Sequence, residues 1–135
     1  MAKFEKHNIV LNRSCREVFD FLSDFRNFDK LIPDQVSNWK SDGDSCSFTI
    51  EGLADLSMRM TGKYPCSNIH IESEGSNPVN YNLDFYFRKN GENSCEADIV
   101  FDVELNPFLR TVASKPLQNF VDLMGDKLGE MFSGD

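Results

Sequence analysis

Few side chains in this 135-residue sequence could perform acid–base chemistry from an inward position, and they are widely separated. Tyr81 falls at an inward position of a predicted strand, and His7 shares strand parity with Ile9 and Leu11, so both are predicted to point inward. A catalytic histidine needs a second polar group to orient it, and the sequence places none beside His7. A histidine held by structural hydrogen bonds is therefore the commoner interpretation of His7.

Motifs for nucleophilic, phosphoryl-transfer or metal-assisted catalysis are absent from the sequence. It contains no G-x-S-x-G, P-loop, H-E-x-x-H or G-x-G-x-x-G pattern. The cysteines, Cys15, Cys46, Cys66 and Cys95, form no C-x-x-C pair, and we interpret them as buried, reduced thiols rather than disulfides or zinc ligands. We predict no catalytic residue set, no metal and no cofactor.

Composition and charge restrict the partners of the chain. Its net charge is −8 and no stretch clusters Lys and Arg, so neither nucleic acid nor an anionic membrane surface is an expected partner. No apolar run reaches the ~20 residues of a membrane span, and the N-terminus lacks a secretory apolar segment, which predicts a cytoplasmic protein without membrane insertion. Residues 1–135 are predicted to form a single domain, and their 12 Phe suit a broad interior or a cavity.

Hydrophobic periodicity and turn residues predict the elements that position these side chains. A strand at residues 4–11 precedes a helix that begins at the Ser14–Glu17 capping box, and a short helix at residues 27–31 ends at Pro33. Period-two patterns then predict six strands, at residues 35–41, 45–51, 55–64, around 69–71, 79–88 and 94–105. The connecting turns include Asp42-Gly43, Gly75-Ser76-Asn77-Pro78 and Asn90-Gly91.

Consecutive hairpins with one polar face predict an antiparallel sheet, and strands this long must make it twist and curl. His70, Asp84 and Arg59 fall on the polar face, where cross-strand pairing in solvent accounts for the two charged residues.

One long helix is predicted to cover the apolar face. Asn106 is its N-cap and Pro107 its first residue, and a helix from Pro107 to Phe132 would be roughly 39 Å long. Pro116 inside it is expected to cause a kink. The predicted apolar stripe comprises Phe108, Leu109, Val112, Leu117, Phe120, Val121, Met124, Leu128 and Met131.

This order of elements resembles the SRPBCC superfamily. The stretch from Ile9 to Asp24 resembles it too, because there a strand passes through a helix cap into a helix that carries Val and aromatic residues. That superfamily includes START domains, polyketide cyclases and the birch pollen allergen. The segment from Phe28 to Pro33 and the terminal Asn106-Pro107 and Lys115-Pro116-Leu117 are also similar to members of the superfamily. The resemblance implies an α+β helix-grip fold of β-α-α-β-β-β-β-β-β-α order, in which a seven-stranded curved antiparallel sheet wraps around the C-terminal helix.

The resemblance also implies a cavity between the sheet and that helix for an apolar ligand such as a lipid, polyketide or quinone. Strand parity then predicts the ligand-binding residues, with Trp39 closing one end although its parity is ambiguous. They are Trp39, Phe48, Met58, Met60, Tyr81, Leu83, Phe85, Ile99, Phe101, Phe120 and Met124.

Two alternatives stay open at this point, because this fold serves several functions. A cyclase or aromatase-type enzyme would steer its substrate by cavity shape, with Tyr81 or His7 as the acid–base group. A protein-interaction module would have a packed core and an exposed apolar patch. The sequence is also compatible with a homodimer, whichever of these functions the chain has.

Overall fold

Seven antiparallel strands form one sheet in the computed structural model, which describes residues 2–75 and 79–133. The strands are β1 (Ala2–Leu11), β2 (Val36–Ser41), β3 (Ser45–Ile50), β4 (Ala54–Tyr64), β5 (Asn68–Ser73), β6 (Tyr81–Lys89) and β7 (Cys95–Val103). Their spatial order is β1-β7-β6-β5-β4-β3-β2. The first strand, β1, therefore pairs with the last, β7, and β1 and β2 are the two edge strands. Of the predicted turn Gly75-Ser76-Asn77-Pro78, only Gly75 lies within the described residues.

The helices begin where the capping residues predict. Ser14 accepts a hydrogen bond from the Glu17 N–H and starts α1 (Cys15–Leu22). A 3₁₀ helix (Phe25–Lys30) follows. Asn106 Oδ1 accepts from the Leu109 N–H at 2.8 Å and starts α2 (Pro107–Met131), which continues unbroken through Pro116. With the sheet order above, these elements confirm the predicted fold class, a curved antiparallel sheet with a long C-terminal helix.

The inward face of α2 differs in part from the predicted stripe. Phe108 and Val112 are 72% and 50% exposed, so their predicted burial is wrong, and the small Ala113 is buried instead. Successive helical residues are rotated by about 100°, and the face that meets the sheet runs through Ala113 and Leu117, which leaves the preceding residues Phe108 and Val112 outside. Hydrophobicity alone cannot choose between two adjacent apolar stripes on one helix.

A bulge in β1 reverses the predicted direction of His7. The pairing of β1 with β7 shifts between Lys6 and Ile9, and Asn8 adopts a φ of +58°, so the residues before and after the bulge no longer share parity. His7 therefore lies on the outer face, exposed, with Nε2 3.1 Å from Glu5 and Nδ1 3.4 Å from Asp98. The predicted inward orientation of His7 is wrong, because parity counting assumes an unbroken ladder.

Asp98 holds this bulge together. Its carboxylate accepts hydrogen bonds from the Asn8 backbone N–H at 2.9 Å and from Arg88 at 2.6 Å. Burial opposes the ionisation of Asp98, but the hydrogen bonds from Arg88, Asn8 and His7 outweigh it and lower the pKa of the carboxyl to about 2.

We expect Asp98→Asn to lower the free energy of unfolding by about 2 kcal/mol at pH 7, because one pKa unit corresponds to about 1.4 kcal/mol. A carboxyl with a depressed pKa stabilises the folded state above its unfolded pKa of about 4, and this stabilisation is lost as the pH falls towards 2. Urea unfolding of both proteins should therefore give a difference that shrinks between pH 4 and pH 2. Asp102→Asn is the control, since within residues 2–75 and 79–133 the ion pair of Asp102 is a long one, 4.0 Å from Lys3. Equal effects of the two substitutions would contradict this prediction.

The outer face also carries a pair that strand patterns alone do not predict. His70 Nδ1 donates to the buried Asp84 carboxylate at 2.7 Å, and the Asn68 side chain donates to the same oxygen at 3.2 Å. Arg59 forms its ion pair with Glu74, at 2.6 Å, and not with Asp84. β4 and β6 are separated by β5, so a side chain on β5 is the nearest cross-strand partner of Asp84.

Candidate binding pocket

An apolar pocket lies between the N-terminal half of α2 and the sheet. Leu109, Ala113 and Leu117 form its helical wall, and they follow one another at one-turn spacing. The N-cap at Asn106 fixes the residue at which the helix starts. Ala113 is the small member of the set, so its position leaves space that a larger side chain would occupy.

The remaining walls come from strand ends and the loops next to them. The start of β4, the start of β6 and the end of β7 lie at the same end of the sheet, because neighbouring strands are antiparallel. Every side chain that they contribute is apolar or aromatic. These lining residues are Leu53, Ala54, Leu56, Val79, Tyr81, Phe101, Val103 and Leu105. Burial of apolar surface is thus the interaction that the pocket offers to a guest.

The pocket is small in this structure, with a volume of about 70 Å³. Sites that hold drug-sized ligands usually measure ~300–1,000 Å³. A ligand of that size therefore requires the wall to move, whereas a fragment of a few heavy atoms fits without movement.

Tyr81 is the one ionisable residue among the described side chains that line the pocket. Its hydroxyl donates to the Ser57 carbonyl oxygen at 2.6 Å, which gives this buried polar group an internal partner. Burial raises the pKa of Tyr81 well above its usual range, so the phenol stays neutral. The pocket contacts a neutral ring whose hydroxyl is already engaged.

Of the residues predicted to bind ligand, the structure places Tyr81 and Phe101 in the pocket lining. The others pack in the interior, outside this lining, and whether they contact a ligand stays a prediction. Trp39 is partly buried, whereas Phe48, Met58, Met60, Leu83, Phe85, Ile99, Phe120 and Met124 are buried in the core.

A row of aromatic contacts fills the centre of the interior. Trp39 lies 5.6 Å from Phe48 between ring centroids, and Phe48 stacks on Phe120 at 5.9 Å. Phe120 in turn lies 6.0 Å from Phe101, whose ring meets Tyr81 edge-on at 5.5 Å. Rings at these distances are in contact. The abundance of Phe indicated a broad interior, and in the structure these rings themselves occupy much of it.

Sequence patterns do not identify the helical wall as part of a site. They place Leu109 and Leu117 in the apolar stripe and give no special role to Ala113. A single Ala among bulky apolar residues at one-turn spacing is the signal that indicates the space, since a missing side chain leaves room opposite it.

Within the described residues, neither helix combines the length and the apolar character needed to cross a lipid bilayer.

Neither a protein-family model nor a curated protein matches the sequence. Among solved structures, a protein from Thermus thermophilus has a TM-score of 0.73 at 13% identity, with 98% of this chain and 97% of that chain covered. A START superfamily protein from Mycobacterium smegmatis has a TM-score of 0.66 at 13% identity over 96% and 98% of the two chains. Norcoclaurine synthase from Thalictrum flavum, in complex with dopamine and hydroxybenzaldehyde, has a TM-score of 0.70 at 13% identity over 96% and 86%. At such low identity, agreement over nearly the full length shows the fold alone. The chain therefore has the same helix-grip fold as these proteins, an antiparallel sheet curved around a long C-terminal helix.

Proposed function

We propose that this protein binds an apolar small molecule in the pocket between the N-terminal half of α2 and the strand ends. The observation that carries the proposal is the wholly apolar and aromatic character of the described lining residues, together with a void that they leave unfilled. The norcoclaurine synthase structure supports it, because there a protein of the same fold holds two small aromatic molecules. Lipids, polyketides and quinones are the ligand classes that this lining would accept.

The N-terminal half of α2 is the wall best able to move for a larger ligand. Pro116 has no N–H, so the carbonyl of Val112 lacks its usual partner within the helix. Phe108 and Val112 on this half are exposed, whereas the C-terminal half packs closely on β1 through Gly125. An outward shift of the first turns would enlarge the pocket while the rest of α2 keeps its contacts.

The substitution Ala113→Leu tests the proposal directly. Leu adds three carbons at the pocket wall, and we expect it to reduce binding of the apolar fluorophore N-phenyl-1-naphthylamine at least ~10-fold, a loss of about 1.4 kcal/mol. Filling an existing void is usually neutral or stabilising, so the free energy of unfolding should change by less than about 1 kcal/mol or increase. Fluorescence titration measures the binding and urea unfolding measures the stability.

The matched control is Asn119→Leu, which places the same side chain on the exposed face of the same helix. This variant should bind the fluorophore as the wild type does. Undiminished binding by Ala113→Leu, or no saturable binding by the wild type, would overturn the proposal. Native mass spectrometry of the purified wild type then identifies a ligand that remains bound through purification.

The two alternatives from the sequence receive less support. An enzyme would need a free acid–base group at the pocket, and the Tyr81 hydroxyl is bonded to Ser57 while His7 lies on the outer face. An interaction module predicts an exposed apolar patch, and α2 does expose Phe108 and Val112, but nothing in the described part of the chain indicates what covers them.

A further inference from the structure

Three cysteines that are distant in sequence meet at the end of the sheet opposite the pocket. Cys15 is the first residue of α1, Cys66 lies in the turn between β4 and β5, and Cys95 is the first residue of β7. The Sγ atoms of Cys15 and Cys95 are 3.4 Å apart, and Cys15 Sγ is 3.8 Å from the carbonyl oxygen of Cys66. We call these residues the three-thiol cluster. The strands between it and the pocket are roughly 30 Å long.

The backbone at Cys66 is unusual for this residue type. Ser67 N–H donates to the Tyr64 carbonyl at 2.9 Å, which closes a β-turn with Pro65 second and Cys66 third. Cys66 has a φ of +55°, a conformation that glycine or asparagine normally adopts at the third position of such a turn. The chain thus holds a thiol beside Cys15 at a position that disfavours it, and strain of this kind is concentrated at functional sites.

Access to the cluster differs among its members. Cys15 is 5% exposed and Cys95 is fully buried, whereas Cys66 is partly exposed. A reagent in solution therefore meets Cys66 first. The 3.4 Å between the Sγ atoms of Cys15 and Cys95 is close enough for a small movement to bring them to the ~2.05 Å of a disulfide bond.

We propose that the three-thiol cluster is a site of reversible disulfide formation, in which Cys66 reacts with a small disulfide and a Cys15–Cys95 disulfide is the product. With oxidised glutathione, the Cys66 thiolate attacks one sulfur, forms a mixed disulfide and releases one glutathione thiolate. The Cys15 thiolate then attacks the Cys66 sulfur of this mixed disulfide and releases the second glutathione thiolate. Cys95, 3.4 Å from Cys15, finally attacks the Cys15 sulfur and releases the Cys66 thiolate.

Over these three steps, one disulfide is reduced and one is formed. Two glutathione molecules leave with the two protons of Cys15 and Cys95, and Cys66 returns to its thiol. The product lies between two buried sulfurs, so its reduction proceeds through Cys66: the Cys66 thiolate attacks the Cys15 sulfur, and an external thiol then reduces the resulting disulfide to Cys66.

The reaction should be slow at neutral pH and faster in alkaline solution. Burial is the main cause that raises the pKa of all three thiols, so only a small fraction is thiolate at pH 7. Below the pKa, the thiolate fraction and hence the rate should rise about 10-fold per pH unit.

The experiment exposes the reduced full-length protein to oxidised glutathione, quenches it by alkylation and maps the peptides by mass spectrometry without reduction. We expect the Cys15 and Cys95 peptides to be linked, with Cys66 and Cys46 alkylated. Cys66→Gly should fold at least as stably, because glycine prefers this φ, yet form the same disulfide at least ~10-fold more slowly. Cys46→Ala is the matched control, since Cys46 is buried on β3 outside the cluster, and its rate should equal that of the wild type.

Alkylation of both Cys15 and Cys95 throughout, a disulfide to Cys46, or Cys15–Cys66 as the final product would each overturn the proposal. A wild-type rate in Cys66→Gly would overturn the entry role of Cys66. Ala113→Leu, which alters only the pocket, should leave the oxidation unchanged, so this result and the fluorophore result are independent of each other.

Discussion

Replacing Phe120 with alanine is expected to lower the free energy of unfolding by about 3–5 kcal/mol, the range for removing a buried Phe from a core. Phe120 is the residue of α2 that joins the two sides of the aromatic row, stacking on Phe48 and contacting Phe101. Phe120 is 2% exposed, so removing its ring eliminates van der Waals contacts with its neighbours and leaves a cavity that the sheet cannot fully close. Urea or thermal unfolding followed by circular dichroism measures the loss.

Phe108→Ala is the matched control for this prediction. It removes the same side chain from the same helix. Because Phe108 is 72% exposed, this substitution should change the free energy of unfolding by less than about 0.5 kcal/mol. A loss below about 1 kcal/mol in Phe120→Ala, or equal losses in the two variants, would show that α2 does not lie on the sheet through this ring.

Gly125→Val is expected to destabilise the protein by about 2–3 kcal/mol, the upper part of the range for overpacking a core. A Cβ atom at Gly125 would lie 2.7 Å from Lys6 Cγ and 3.2 Å from Ile9 Cδ1, so either these side chains or the helix itself would have to shift. The ion pair between Lys6 and Asp126, at 3.5 Å, limits how far the lysine can move aside. Chemical unfolding measures the change.

The matched control, Gly129→Ala, lies one turn further along α2. Among the described residues, a Cβ atom there would contact Ile9 Cγ2 alone, at an ordinary 3.7 Å. The substitution should therefore be neutral or should stabilise the protein by up to about 1 kcal/mol through helix propensity. A stable Gly125→Val variant would mean that the close approach of α2 to β1 is not required for folding.

Local sequence patterns are sufficient for most of the fold. Ser14 and Asn106 mark the starts of α1 and α2 because each supplies an oxygen to an otherwise unpaired N–H in the first turn. Strand parity also predicts inward faces correctly, for example Phe48 on β3 and Tyr81 on β6, because one buried face forces an alternating pattern.

Predictions fail where the regular geometry is interrupted or where two patterns compete. Parity in β1 cannot anticipate the bulge at Asn8, since its carboxylate partner Asp98 is 90 residues away in sequence. The close approach of α2 to β1 at Gly125 joins residues that are far apart in sequence, and no local pattern contains it.

The sequence by itself determined the order of the elements, the caps and most of the buried faces, because these follow from hydrogen bonds and hydrophobic contacts between near neighbours in the chain. Only the tertiary structure decided where space remains between the sheet and α2, and which cysteines meet. Both depend on how side chains far apart in sequence fit together, and a change of an ångström in that fit opens or closes a pocket.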